Sequence, residues 1–315
     1  MRKLAILLFG LTLLATGPVL AAAAPEKPAK PKEDPEAAAV KRHVTKADDG
    51  FFTVRYGPYI VKSEIDPQFT AEAAVYMTKF YLAFRNFFKP DPKLHVTPTV
   101  LFYKDAQSYI KNGGPAGTGG CYAGGDKTSK LLVYQVRPGS GFAGFETSVI
   151  RHEGAHQLLA YILGTHAIPI WYTEGVATFF ESWDIAKPIQ ANLEDLKTTH
   201  TRFESIARTY GTKDFLSLHK LTDLSYETWT KDDVLLHYAE VQSFMTFLIT
   251  TEKGRQFFAA IFRLIAAKKD VDAALPWDVV ENAQKAWYKD IEARIEKAKE
   301  PPEPAEKKPA KKTGK

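Results

Sequence analysis

Residues 151–181 read RHEGAHQLLAYILGTHAIPIWYTEGVATFFE, and this stretch decides how the rest of the chain is interpreted. It opens with His152-Glu153-Gly154-Ala155-His156, an H-E-x-x-H pattern. On a helix, residues four apart share a face. His152 and His156 then aim two imidazole nitrogens at one point, and Glu153 projects beside them. Zinc suits such a set, because it accepts nitrogen donors in tetrahedral geometry and leaves one position for water. Two histidines do not hold a catalytic zinc, so a third ligand is needed. Downstream lies Trp171-Tyr172-Thr173-Glu174-Gly175-Val176-Ala177, with Glu181 after it. Glu174 opens what reads as a second short helix and is assigned as the third ligand. Glu181 falls two turns further along the same face. It is placed as the acceptor for a ligating histidine N–H, a support that metal sites usually have. A chance H-E-x-x-H is the competing explanation. The amphipathic context and the E-G-x-A segment at a workable distance weigh against it.

These residues resemble a known group. HEGAH followed by WYTEGVATFFE is similar to the gluzincin zinc metallopeptidases of the peptidase MA clan. The nearer likeness is to the DUF1570 peptidase-like family of exported bacterial proteins. Those pair H-E-x-x-H with W-x-x-E-G-x-A and a later helix containing Tyr-Ala, here Tyr238-Ala239. The likeness is specific over 151–181, looser over roughly 95–250, and absent at both ends. No G-x-M-E-N segment precedes the HEGAH helix, so an aminopeptidase's grip on a free N-terminus is not implied.

The chain has 315 residues, 45% hydrophobic and 12% aromatic, enough to bury a real core. Residues 1–24, MRKLAILLFGLTLLATGPVLAAAA, have the charged, apolar and small-residue order of a secretory signal. An uncleaved N-terminal anchor is the alternative. No later stretch reads as a membrane span, so no stable membrane insertion is expected once the signal is removed. The formal net charge of +5 sits at the ends. Once residues 1–24, 25–45 and 299–315 are set aside, the body is close to neutral, so the basic balance is no argument for a nucleic-acid groove and no nucleic-acid partner is expected. The single cysteine, Cys121, rules out an intramolecular disulfide. Its GTGGCYAGG surroundings fit a tolerated thiol rather than a nucleophile.

Residues 25–45, rich in Pro, Ala, Lys and Glu, read as a flexible linker. FFTVRYGPYIVKSE, from Phe51, predicts one or two strands, and 71–88 predicts a helix with Met77, Phe80, Tyr81, Phe84 and Phe88 on one stripe. TVLFY at 99–103 predicts a buried strand, with Asp105 capping a short helix after it. The segment 112–125, NGGPAGTGGCYAGG, lacks the Gly-Lys-Ser/Thr ending of a phosphate loop and reads as a flexible loop. KLLVYQV at 130–136 predicts a second strand. By resemblance to the gluzincins, it is the sheet edge that lines the cleft and pairs with an extended peptide. Beyond Glu181 helices are expected at about 192–210, 232–250, 254–267 and 277–298. The end, 299–315, reads as a disordered basic tail.

The other histidines carry no motif. His166 reads as a loop residue, and His43, His95, His200 and His219 have no partner in view. His237 and Tyr238 lie in LLHYAEVQSFMTFLI, a helix that in the resembled family returns toward the metal. A donor there, Tyr238 above all, would hydrogen-bond a tetrahedral oxyanion. A core aromatic with a satisfied hydroxyl is the plainer alternative.

The expected fold is α+β: a small, mostly antiparallel sheet with the HExxH helix, then a helical C-terminal subdomain. The zincin-like domain spans 46–298, divided at 182/183. The expected protein is an exported zinc metallopeptidase. Its metal ligands are His152, His156 and Glu174, its general base is Glu153, and its substrate is a polypeptide. A non-catalytic envelope scaffold that keeps a zinc site is the alternative from another class. Oligomeric state is not legible.

Overall fold

The computed structural model describes residues 34–299, except 90–91, 126, 138, 140, 165–167, 199–201, 232 and 275. The expected signal peptide, His166, His200 and all but the first residue of the expected basic tail lie outside the described residues. The first described elements are α1 (Pro35–Lys41) and β1 (Thr45–Lys46), which start inside the stretch read as a linker. For residues 34–45 that reading is corrected, and residues 25–33 lie outside the described residues. Asp34 caps α1 and Pro35 opens it, while Ala37 and Val40 are buried. The Tyr56 hydroxyl donates to Glu36 at 2.7 Å, and Lys79 of the next long helix pairs with Asp34 and Glu36. Small apolar residues on one face suffice to dock a short helix that composition alone marks as disordered.

β2 (Phe52–Tyr56) and β3 (Tyr59–Ser63) form a hairpin in register Tyr56↔Tyr59. Gly57 at its turn has φ +53°, and a side chain there would strike Thr78. α2 (Pro67–Phe88) starts earlier than its apolar stripe implies, because Asp66 caps it and Pro67 takes the first turn. Met77, Phe80 and Phe84 are buried as expected, with Tyr81 and Phe88 packed at the margin. β4 (Thr99–Tyr103) and α3 (Ala106–Lys111) follow, with Asp105 accepting from the Ser108 amide at 2.8 Å.

β5 (Gly120–Gly125) and β6 (Thr128–Tyr134) complete a six-stranded sheet of order β1-β2-β3-β4-β6-β5. Three of its five pairings are antiparallel, and β3-β4 and β4-β6 are parallel. Two expectations are corrected here. The glycine-rich segment 112–125 is not loop throughout, since its last six residues form β5. The strand in 130–136 is not the edge either, since β6 lies between β4 and β5 and the edge is β5. The apolar run Leu131-Leu132-Val133 fits that interior place. Leu131 and Val133 join the main core, and Leu132 joins a small cluster with Tyr103, Tyr109 and Cys121 on the other face.

α4 (Thr147–Leu163) carries HEGAH and packs on the same sheet face as α2. α5 (Ile170–Glu181) starts four residues before Glu174, so that residue sits inside the helix rather than at its start. The expected 192–210 helix is two, α6 (Ile189–Thr198) and α7 (Phe203–Thr209). The short α8 (Leu218–Thr222) and α9 (Tyr226–Lys231) precede α10 (Val234–Thr250), α11 (Glu252–Ala266), α12 (Val271–Ala274) and α13 (Trp277–Lys299). α10 is buried from Leu236 to Ile249 and packs against α5 and most of the other C-terminal helices. A helix apolar nearly all round belongs in such a position. The fold is thus α+β with a helical C-terminal region, and one hydrophobic cluster runs from Ala37 on α1 to Ile291 on α13. Among the described residues, no helix is long and apolar enough to cross a membrane.

One buried charge in α10 has a testable cost. Glu240 is fully buried; its Oε1 accepts from the Leu216 amide at 2.7 Å, and its Oε2 has no partner. Burial pushes its carboxyl up to about 8, with the Leu216 amide opposing. A folded-state value above the ordinary 4.5 means the native protein holds a proton that the unfolded chain releases. Stability is therefore lost as pH rises from about 4.5 through about 8. Glu240→Gln keeps the acceptor for Leu216. In urea unfolding it should be more stable than wild type by about 1–3 kcal/mol at about pH 9 and indistinguishable at about pH 5.

Candidate metal centre

α4 brings His152, Glu153 and His156 to one place, and Gly154 lets it come close. A Cβ at Gly154 would lie 2.8 Å from Phe80 on α2. α5 crosses α4 and supplies Glu174. Its C-terminal end is tied down by Arg151, the residue before the motif. The Arg151 guanidinium donates to the carbonyls of Phe180 (3.0 Å) and Glu181, to the Tyr76 hydroxyl (2.7 Å) and to Thr147 Oγ1 (2.9 Å). A cation on the last carbonyls of a helix also complements its dipole.

Three donor atoms converge. His152 Nε2 and His156 Nε2 are 3.1 Å apart, and Glu174 Oε2 is 3.4 Å from the first and 3.6 Å from the second. All three residues are buried, and this trio is a group able to hold a metal ion. The fit to zinc is testable by arithmetic. Bonds of 2.0–2.1 Å at tetrahedral angles place donors about 3.3 Å apart, the middle of the observed range. Glu174 Oε2 is buried without a hydrogen-bond partner, an orphan that a cation at the centre of the triangle satisfies. A site of three side-chain donors does not suit calcium, which takes six to eight oxygens.

The remaining candidates fall around this triangle. Glu181 Oε1 lies 2.7 Å from His152 Nδ1, on the side of the ring away from Glu174. Glu153 is fully buried, and neither of its oxygens has a partner. Burial raises its carboxyl to about 8, while charge on His152 and the nearby Tyr122 backbone pull the other way. For Glu174, burial favours the neutral acid, but His156 and His152 more than offset it and hold the carboxyl down to about 2. Burial opposes charge on His152, and the Glu174 carboxylate 3.4 Å away together with the hydrogen bond to Glu181 reverses this and carries it up to about 10. His156 stays lowered, mainly by burial. Metal-free, the positive charge therefore sits on His152, beside the Glu174 carboxylate.

Tyr238 packs its ring edge-on against His152, centroids 6.0 Å apart, and against Trp229 at 5.4 Å. Burial pushes its phenol well above the usual value, and the Glu174 and Glu153 carboxylates add to this, so it remains a protonated donor. His237 turns away, its Nδ1 3.2 Å from the Trp229 carbonyl. His219 stacks on Trp277, and His95 lies edge-on to Tyr161. Cys121 is fully buried, and burial raises its thiol to about 12, which leaves it inert.

Sequence reasoning missed two residues. Arg202 pairs with Glu181 Oε2 at 2.5 Å and lies over the Tyr238 ring. Tyr226 is half-exposed, and beyond partial burial the Glu174 carboxylate raises its phenol. Neither sits in a pattern that would have singled it out. No curated protein matches the chain. Residues 146–272, the stretch that carries His152, Glu153, His156, Glu174, Glu181 and Tyr238, match the model of the family described as "Protein of unknown function (DUF1570)".

Proposed function

We propose that the protein is an exported zinc metallopeptidase of gluzincin type that cuts within extended polypeptides. The observation that carries the reading is the buried triangle of His152, His156 and Glu174 at zinc-ligand spacing, with the unpartnered carboxylate of Glu153 beside it. When bound, the ion supplies Lewis acidity to the carbonyl and to the attacking water. Glu153, whose two oxygens are unpartnered, takes the proton from that water and returns it to the leaving amine. Tyr238, kept protonated, donates toward the oxyanion. Export rests on the order of residues 1–24.

The substrate's path follows from the corrected sheet. β5 is the edge strand and packs against α4, the helix that carries Glu153. An extended chain paired with β5 by main-chain hydrogen bonds therefore passes the base. Such pairing reads backbone, not a free terminus. A scaffold that keeps zinc for stability has no use for an unligated buried carboxylate at that point, which favours the catalytic reading. The test is digestion of matched peptides with free and acetylated N-termini, with and without chelator, followed by mass spectrometry. Both peptides should be cut internally, and chelator should stop it. Stepwise shortening of free-amine peptides alone would replace the endopeptidase reading with an exopeptidase one. No cleavage by a zinc-loaded protein would favour the scaffold.

A further inference from the structure

His152 is held from two sides, and one guanidinium reaches both holds. On one side Glu181 Oε1 is 2.7 Å from His152 Nδ1, and Glu181 Oε2 is 2.5 Å from Arg202 Nη1. On the other the Tyr238 ring lies against the imidazole, and the Arg202 Cζ sits 5.6 Å from the centre of that ring. The side chains of Glu181 and Arg202 are 6% and 14% exposed, so water does not readily replace either contact. Arg202 is the residue before α7, whereas His152, Glu181 and Tyr238 come from α4, α5 and α10. The division of labour with Arg151 is clear. Arg151 binds the main-chain carbonyl of Glu181, and Arg202 binds its carboxylate.

We propose that Arg202 is a positioning residue for the metal centre: it locks the Glu181 carboxylate so that Glu181 accepts the Nδ1–H of His152 and leaves Nε2 facing His156 and Glu174. This rests on the reading of that triangle as a metal site. A carboxylate with two oxygens has two directions to satisfy. With Arg202 on one, the other is committed to His152, which fixes both the tautomer and the plane of the ring. Without Arg202, Glu181 is a buried carboxylate with one oxygen unpaired. It can then rotate or take a proton, and the imidazole loses its anchor. The contact with Tyr238 makes Arg202 a common support for two neighbours of His152.

The experiment uses the full chain, stripped of metal, and measures zinc affinity by competition with a chromophoric chelator. Arg202→Ala should weaken zinc by about 10- to 100-fold, the usual cost of losing the partner behind a ligand. Arg202→Lys, which keeps the charge but not the fork, should recover part of the loss. Glu181→Gln should weaken zinc by itself, and adding Arg202→Ala to it should change little more, because the two act through one contact. Thermal unfolding of the metal-free variants separates this from a merely structural role. A lower Tm for Arg202→Ala with unchanged zinc affinity would overturn the proposal, as would strictly additive losses in the double variant. A wild-type protein that takes up no zinc would overturn the metal reading and this inference together. Zinc-binding wild type with an unaffected Arg202→Ala would overturn only the role of Arg202.

Discussion

Glu153→Gln should leave zinc content near wild type and lower peptide hydrolysis by about 10² or more, the range for losing a general acid–base. The expectation follows from geometry. Glu153 is on the ligand helix, one residue from His152, yet it is not among the three converging donors. Its two oxygens are buried without hydrogen-bond partners, a state that costs stability and calls for a functional explanation. The amide of glutamine matches the carboxylate in size, so packing is preserved while the base is lost. Metal analysis and kinetics on one preparation make the test. Activity near wild type would remove Glu153 from the mechanism. Lost zinc would make it a ligand.

His156→Ala and Glu174→Ala should each take the protein from about one zinc per chain to nearly none, the stoichiometry one tetrahedral site implies. The same substitutions should abolish stabilisation by zinc. A ligand that binds only the folded state at about a thousand times its Kd adds about 4 kcal/mol, visible as a higher Tm. Wild type should show that shift and the two variants should not. Metal-free, the three proteins need not rank the same way. Glu174→Ala removes a buried carboxylate paired with His152 and His156, so its apo form is expected to be the least stable. Full zinc retention in either variant would break the ligand assignment.

How far the sequence carried the site depended on whether a residue stood in a pattern. His152, Glu153, His156 and Glu174 were legible because metal chemistry constrains both residue type and spacing. Glu181 was legible because two helical turns place it on the face of Glu174. Arg202 was not, because it stands just before a separate helix, 21 residues beyond Glu181, and no periodicity marks an arginine that meets a carboxylate only in three dimensions. The fold divides likewise. TVLFY and KLLVYQV read as strands because β-branched and aromatic residues favour a pleated, buried surface. Residues 120–125 did not, because Gly120, Gly124 and Gly125 are poor strand formers. Pairing with β6 and packing against α4 override that local preference: a Cβ at Gly120 would lie 2.8 Å from Val133 and 2.9 Å from Val149. α1 was missed because its apolar face, Ala37 and Val40, is too small to show against a Pro- and Lys-rich background.

If, on the reading proposed above, one border of the sheet receives an extended chain, that border is also exposed to copies of itself. The two borders of this sheet meet that hazard differently. At one end β1 is only two residues long, both exposed, and Lys46 is one of them. A short, charged border offers a second molecule little length to grasp. At the other end β5 is long enough to pair but is half glycine. Most of the stability of a sheet comes from side chains that meet across strands, and Gly120, Gly124 and Gly125 present none. A strand laid on β5 gains main-chain hydrogen bonds but little side-chain interlock. That is poor material for self-assembly into a fibril and good material for contacts that form and release with many sequences. The composition that hid β5 among the loops also makes this border a weak template for a second copy.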